Sequence, residues 1–142
     1  MSNLAQDPSF PFYVASRLYS QAYRKPLDEI GLTYPQYLVM LVLWEKDGQT
    51  VSGIGDQLQL DSGTLTPLLK RLEAINLLKR VRSEEDERKV VIELTYPGKS
   101  LQSKASAIPK KIKKILNSWE DKELNQLKSL TDRMIKDLNA QE

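Results

Sequence analysis

The sequence predicts a mostly helical α+β fold: a winged helix-turn-helix with dimerisation helices toward both ends of a single 1–142 domain. Three observations predict it. Residues 33–96 read as a buried helix, two short helices and two alternating strands, the order of a winged helix. Apolar stripes at helical spacing flank that core over 7–32 and 97–140, and they outnumber what so small a core covers. The 142 residues include no Cys and no His, so the fold rests on apolar burial rather than on disulfides or bound metal.

Asp7-Pro8-Ser9-Phe10-Pro11 reads as a helix start, since Asp or Ser caps and Pro is tolerated in a first turn. Phe12, Ala15, Ser16, Tyr19 and Tyr23 follow at helical spacing. Pro26 is expected to interrupt this helix and Gly31 to end the segment. Thr33-Tyr34-Pro35 caps a new start. Tyr37–Trp44 is apolar almost all round and reads as a buried helix. Val51, Ile54 and Leu58 mark one face of a short helix. Asp61-Ser62-Gly63-Thr64 is an N-cap region, and Leu65, Leu68, Leu69, Leu72 and Ile75 make one apolar stripe behind it.

Two strands are expected at Leu78–Arg82 and Lys89–Leu94, joined by the polar tip Ser83–Arg88. Beyond them Leu101, Ala105, Ile108, Ile112, Ile115 and Trp119 recur at heptad-like spacing, which predicts one long helix bent at Pro109. Leu124, Leu127, Met134, Ile135 and Leu138 mark a last amphipathic helix. The first helix and these last two are expected to pair with a second copy of the chain.

The net charge of +2 conceals local structure. Residues 61–90 hold seven basic and six acidic groups, and residues 97–118 hold six Lys and no acid. The lysines at 110–114 read as a solvated helix face. Without Cys or His, thiolate chemistry, zinc fingers, iron–sulfur ligation and His-based triads are excluded. Glu84, Glu85, Asp86 and Glu87 are loose carboxylates in a turn, and no Gly-rich phosphate loop is present, so catalysis finds no constellation. No cofactor is expected. The apolar run Tyr37–Trp44 is far short of the roughly 20 residues that span a bilayer. The first residues lack a basic-then-apolar leader, so the expected location is the cytoplasm and no membrane partner is expected.

The second short helix and the hairpin suit double-stranded DNA. A helix entering the major groove needs small polar side chains near its N-terminus. Ser62, Thr64 and Thr66 supply them, and Pro67 offers an apolar contact for a thymine methyl. Lys70 and Arg71 are placed for phosphates, with Arg80, Arg82, Arg88 and Lys89 on the hairpin flanks. Asp86, two residues from Arg88, is expected to orient it. The competing reading is a winged-helix module that binds a protein and has no DNA target.

The run Asp61-Ser62-Gly63-Thr64-Leu65-Thr66-Pro67-Leu68-Leu69-Lys70-Arg71-Leu72-Glu73 resembles the recognition helix of the MarR family of bacterial transcription regulators. Asp86-Glu87-Arg88 followed by Leu94-Thr95 resembles that family's wing signature. Leu32–Leu38 and Leu60–Lys70 are similar to its organic hydroperoxide resistance regulators. The resemblance implies a homodimeric repressor of an organic-peroxide stress gene, bound to a pseudo-palindromic operator. It also implies a sensor pocket in which two tyrosines hydrogen-bond one reactive Cys. The Cys position falls on Ser9, the tyrosines on Tyr13 and Tyr23, and Tyr34 matches a further pocket tyrosine. A hydroxyl has no thiol-type oxidation ladder. Ser9 is then a replaced cysteine, a natural residue in a relative that has lost peroxide sensing or senses a small ligand, or a helix cap; the alternative within the regulator class is release by a small apolar or phenolic ligand.

Overall fold

Caps set the element boundaries in the computed structural model, which describes residues 3–141. After a 3₁₀ turn at Leu4–Gln6, helix α1 runs Ser9–Asp28. Asp7 Oδ1 accepts from the Ser9 N–H at 2.9 Å and from its hydroxyl at 2.6 Å. Pro26 does not interrupt α1 as expected. It lies in the last turn, where its missing N–H removes a single bond of the ladder. Gly31 ends the segment at φ +75°, a left-handed conformation that costs glycine little.

Helix α2 (Tyr34–Glu45) starts with a reciprocal cap. The Thr33 N–H donates to Gln36 Oε1 at 2.9 Å and the Gln36 N–H to Thr33 Oγ1 at 3.3 Å. Strand β1 (Gln49–Thr50) leads into α3 (Val51–Leu58), where Thr50 Oγ1 accepts from the Gly53 N–H. Helix α4 (Ser62–Ala74) starts at Asp61, whose Oδ1 accepts from the Thr64 N–H at 2.7 Å. Strands β2 (Leu78–Arg82) and β3 (Val90–Leu94) form the hairpin, and Thr95 Oγ1 caps α5 (Tyr96–Ala105) through the Gly98 N–H.

The sheet is antiparallel in the order β1-β3-β2. Gln49 pairs with Ile92, and Leu78, Arg80 and Arg82 pair with Leu94, Ile92 and Val90. Strand β1 was not expected, because two polar residues carry no period.

The chain divides into two compact units, residues 1–108 and 109–142. The core of the first is apolar: Leu27, Val39, Met40, Leu43, Ile54, Leu65, Leu69, Leu72, Leu78 and Ile92 are all buried. Ile75 leaves the stripe expected of it and is exposed, because α4 stops at Ala74. Trp44 Nε1 donates to the Gly98 carbonyl at 2.8 Å, tying α5 to α2. Gly98 is required there, since a Cβ would overlap the Leu77 carbonyl oxygen.

The expected long helix over 101–119 is instead two, α5 and α6 (Ile108–Ile115), separated at Ser106-Ala107. Pro109 has no N–H for the Ala105 carbonyl, so the ladder stops there rather than bending. Ala105, Ile108 and Ile112 are buried, whereas Ile115 and Trp119 are exposed.

In the second unit, α7 (Asp121–Asn139) begins where the Glu120 N–H donates to Glu123 Oε1 at 2.9 Å. Lys113 Nζ meets Asp121 Oδ1 at 2.7 Å. No described residue of α7 is buried, and its apolar face, including Leu130 and Leu138, lies open.

Candidate DNA interface

The buried stripe decides which face of α4 looks outward. Leu65, Leu68, Leu69 and Leu72 all pack inward. Helical geometry therefore turns Ser62, Thr64, Pro67, Lys70 and Arg71 to solvent, with Thr66 half-buried at the edge. Pro67 lies within α4 and does not break it. Asp61 holds the start of this face, and its hydrogen bonds from Thr64 keep its carboxyl below the usual range.

The hairpin stands beside that face. A groove of about 550 Å³ is lined on one side by Ser52, Asp61, Ser62 and Thr66, and on the other by Arg80, Arg88 and Lys89. The tip is held by its own hydrogen bonds. The Ser83 N–H donates to the Lys89 carbonyl and the Lys89 N–H to the Asp86 carbonyl, each at 2.9 Å. Asp86 Oδ1 accepts from the Arg88 N–H at 3.0 Å and lies 3.5 Å from its Nε. The Arg88 side chain nevertheless remains 93% exposed.

Two of the flanking arginines are engaged within the chain. Arg82 Nη1 donates to the Glu87 carbonyl at 2.9 Å. Arg80 is gripped by Glu73, with Nε at 3.2 Å and Nη2 at 3.1 Å from Oε1. Glu73 gave no signal in the sequence: it lies seven residues before its partner, across a helix-to-strand turn that no period describes. Ser52, at the start of α3, also lines the groove and gave no signal, because its place beside α4 depends on how the two helices pack. Thr64, Pro67, Lys70, Arg71 and Arg82 lie outside the groove lining.

The four residues of the implied sensor pocket do not meet within the chain. Ser9 and Tyr13 line an open cleft of about 710 Å³ with Leu4, Phe10 and Phe12. Tyr23 lies 14 residues beyond Ser9 on the same helix, about 21 Å at 1.5 Å per residue. Its ring packs instead against Tyr34 at 4.9 Å, Tyr19 at 5.7 Å and Tyr37 at 6.0 Å between centroids. Burial raises the phenol pKa of Tyr23 and Tyr34 above the ordinary value. The Ser9 hydroxyl donates to Asp7.

A polar helix face and a basic hairpin sharing one groove, on a winged-helix core, define a winged-helix transcriptional regulator. The chain belongs to the SarA/Rot family of transcriptional regulators, whose family model matches residues 21–108; these are winged-helix proteins of the MarR type. It is 47% identical to the organic hydroperoxide resistance transcriptional regulator of Bacillus subtilis, over 92% of this chain and 88% of that one. It is 39% identical to the HTH-type transcriptional regulator MgrA of Staphylococcus aureus, over 88% and 87% of the two chains. Among solved structures, AbfR of Staphylococcus epidermidis is 40% identical with a TM-score of 0.73, over 96% of this chain and 92% of that one. Reduced AbfR bound to DNA gives 39% identity and a TM-score of 0.77, over 95% and 93%.

Proposed function

We propose that this chain represses transcription as a homodimer bound to a pseudo-palindromic DNA operator, acting by binding rather than catalysis. One observation carries the reading: Ser62 and Thr66 of α4 and the exposed Arg88 line a single groove. Helix α4 enters the major groove, where Ser62, Thr64, Thr66 and Pro67 meet base edges. Lys70 and Arg71 meet phosphates, and Arg88 and Lys89 approach the adjacent minor groove. Arg82 keeps its hydrogen bond to Glu87 and stiffens the hairpin root.

Residues 33–96 serve as the reading core, and 7–32 with 97–140 as the dimer helices. Support comes from the open apolar face of α7 and from Phe10 and Phe12, 40% and 49% exposed. A twofold axis then sets two α4 helices about 34 Å apart, one turn of duplex. The cytoplasm is the compartment where such a target lies. Among the described residues no helix is long and apolar enough to cross a membrane.

The Bacillus relative's role in organic hydroperoxide resistance supports an organic-peroxide stress gene as the target. Ser9 is the first residue of α1, and its hydroxyl donates to Asp7 rather than capping a helix N–H; as a hydroxyl it has no thiol-type oxidation ladder. Organic hydroperoxide therefore leaves the DNA complex intact. The apolar cleft beside Ser9 favours a second reading for relief of repression, by a small apolar or phenolic ligand.

Gel shifts of the purified protein on its own promoter region test the proposal. A sequence-selective shift is expected that weakens steeply with salt. A shallow salt response, or no selective shift by a folded dimer, would instead favour a protein-interaction module. Release by organic hydroperoxide would overturn the assignment of Ser9.

A further inference from the structure

We infer that Glu73 is a positioning residue that locks the wing to the recognition helix through Arg80, so that duplex DNA meets the two as one surface. The inference rests on the DNA-binding reading above and adds to it the element that sets the helix-to-wing geometry.

Strand β2 is an edge strand, so one of its sides has no strand neighbour. Glu73, in the last turn of α4, reaches that side. Its Oε2 accepts from the Arg80 backbone N–H at 3.2 Å. Its Oε1 takes the guanidinium, with Nε at 3.2 Å and Nη2 at 3.1 Å. One carboxylate thus satisfies a backbone donor and a side-chain fork together, which fixes direction as well as distance.

The location gives the pair its consequence. Arg80 stands two residues before Arg82, where the hairpin leaves the body of the sheet. Beyond that point the tip holds itself, through Ser83 to Lys89 and Asp86 to Arg88. The grip on Arg80 therefore acts at the root of the lever that carries Arg88. Arg80 also lines the groove shared with Thr66 and Arg88, with its charge already met by Glu73. It is accordingly a spacer in that groove rather than one more phosphate contact.

The experiment combines a binding cycle with a DNA-free readout. Affinity for an operator duplex is measured by fluorescence anisotropy across a salt series for the wild type, Glu73→Gln, Arg80→Lys, Arg88→Ala and the Glu73→Gln/Arg88→Ala double variant. Amide hydrogen exchange over residues 79–90 is followed without DNA. Both substituted side chains are 37% exposed, so neither change opens a cavity in the buried core.

Glu73→Gln and Arg80→Lys are expected to weaken binding about five- to tenfold, with the salt slope unchanged. The loss should nearly vanish in the Arg88→Ala background, because the wing then has little left to position. Wing amides should exchange faster in both variants. Unchanged affinity, an equal loss in the Arg88→Ala background, a shallower salt slope, or unaltered wing exchange would each overturn the inference. A wild type that binds no duplex would overturn the DNA reading instead, and the exchange result would then judge the clamp by itself.

Discussion

At the scale of single residues, exposure separates the side chains that read from those that hold. Thr64 is exposed at the surface of α4, whereas Leu65 beside it is fully buried. The same contrast divides the arginines: Arg80 is occupied by Glu73, while Arg88 is nearly all exposed. Two substitutions should therefore weaken DNA binding in different ways. Arg88→Ala should lower affinity for all duplexes and reduce the salt slope by about one. Thr64→Ala should instead narrow the gap between operator and mismatched duplex by about 1–3 kcal/mol, with little change in salt slope. Competition titrations at several salt concentrations check both. An unchanged slope for Arg88→Ala would leave that residue a structural partner of Asp86.

At the scale of elements, caps and breaks govern where each helix presents its face. Asp61 is the clearest case, since one carboxylate starts α4 and so sets which residues open the recognition face. Asp61→Ala should lower the melting temperature measurably, and Asp61→Asn much less because it keeps the acceptor. Thermal unfolding of the two variants measures the difference. The junction between β3 and α5 is more brittle. Gly98→Ala places a methyl group on the Leu77 carbonyl, which also accepts from the Thr95 N–H at 3.2 Å. Either Leu77 or Trp44, hydrogen-bonded to the Gly98 carbonyl, must then move. A melting temperature equal to wild type would show that the junction yields freely.

At the scale of the molecule, the absence of His shapes the response to pH. No side chain of the chain has an ordinary pKa between the carboxylates and the tyrosines, Cys being absent too. The carboxyls of Asp7, Asp61 and Glu73 are all held below their ordinary values, by hydrogen bonds from Ser9, Thr64 and Arg80 respectively. A lowered carboxylate stabilises the fold above the unfolded-state pKa, and that contribution is lost as pH falls through the folded value. Stability should thus be level between about pH 5.5 and 7 and decline below about pH 4. Melting curves across that range check it. A transition near pH 6.5 would contradict the assignment, because the chain has no histidine.

Local chemistry made the element order legible from residues alone. Thr33 with Gln36, Asp61, and the alternation of Val90, Ile92 and Leu94 each announce a boundary or a face within a few positions. The same locality made α4 legible as the outward polar helix, since its leucines fix the inward side. What depends on residues far apart in the chain was not legible. Strand β1 exists only because β3 offers it a partner. The break at Ser106-Ala107 arises where Pro109 leaves the Ala105 carbonyl without its donor, against a stripe that reads as continuous. Glu73 gains a function only when β2 folds back beside α4. Tyr13 lines the same cleft as Ser9, but Tyr23 lies about 21 Å farther along α1, because a helix separates what a linear alignment sets side by side. Sequence by itself determines which faces are apolar and where helices can start, for these follow from neighbours three or four residues away. Tertiary structure alone decides which polar groups meet, because that depends on how separate faces pack.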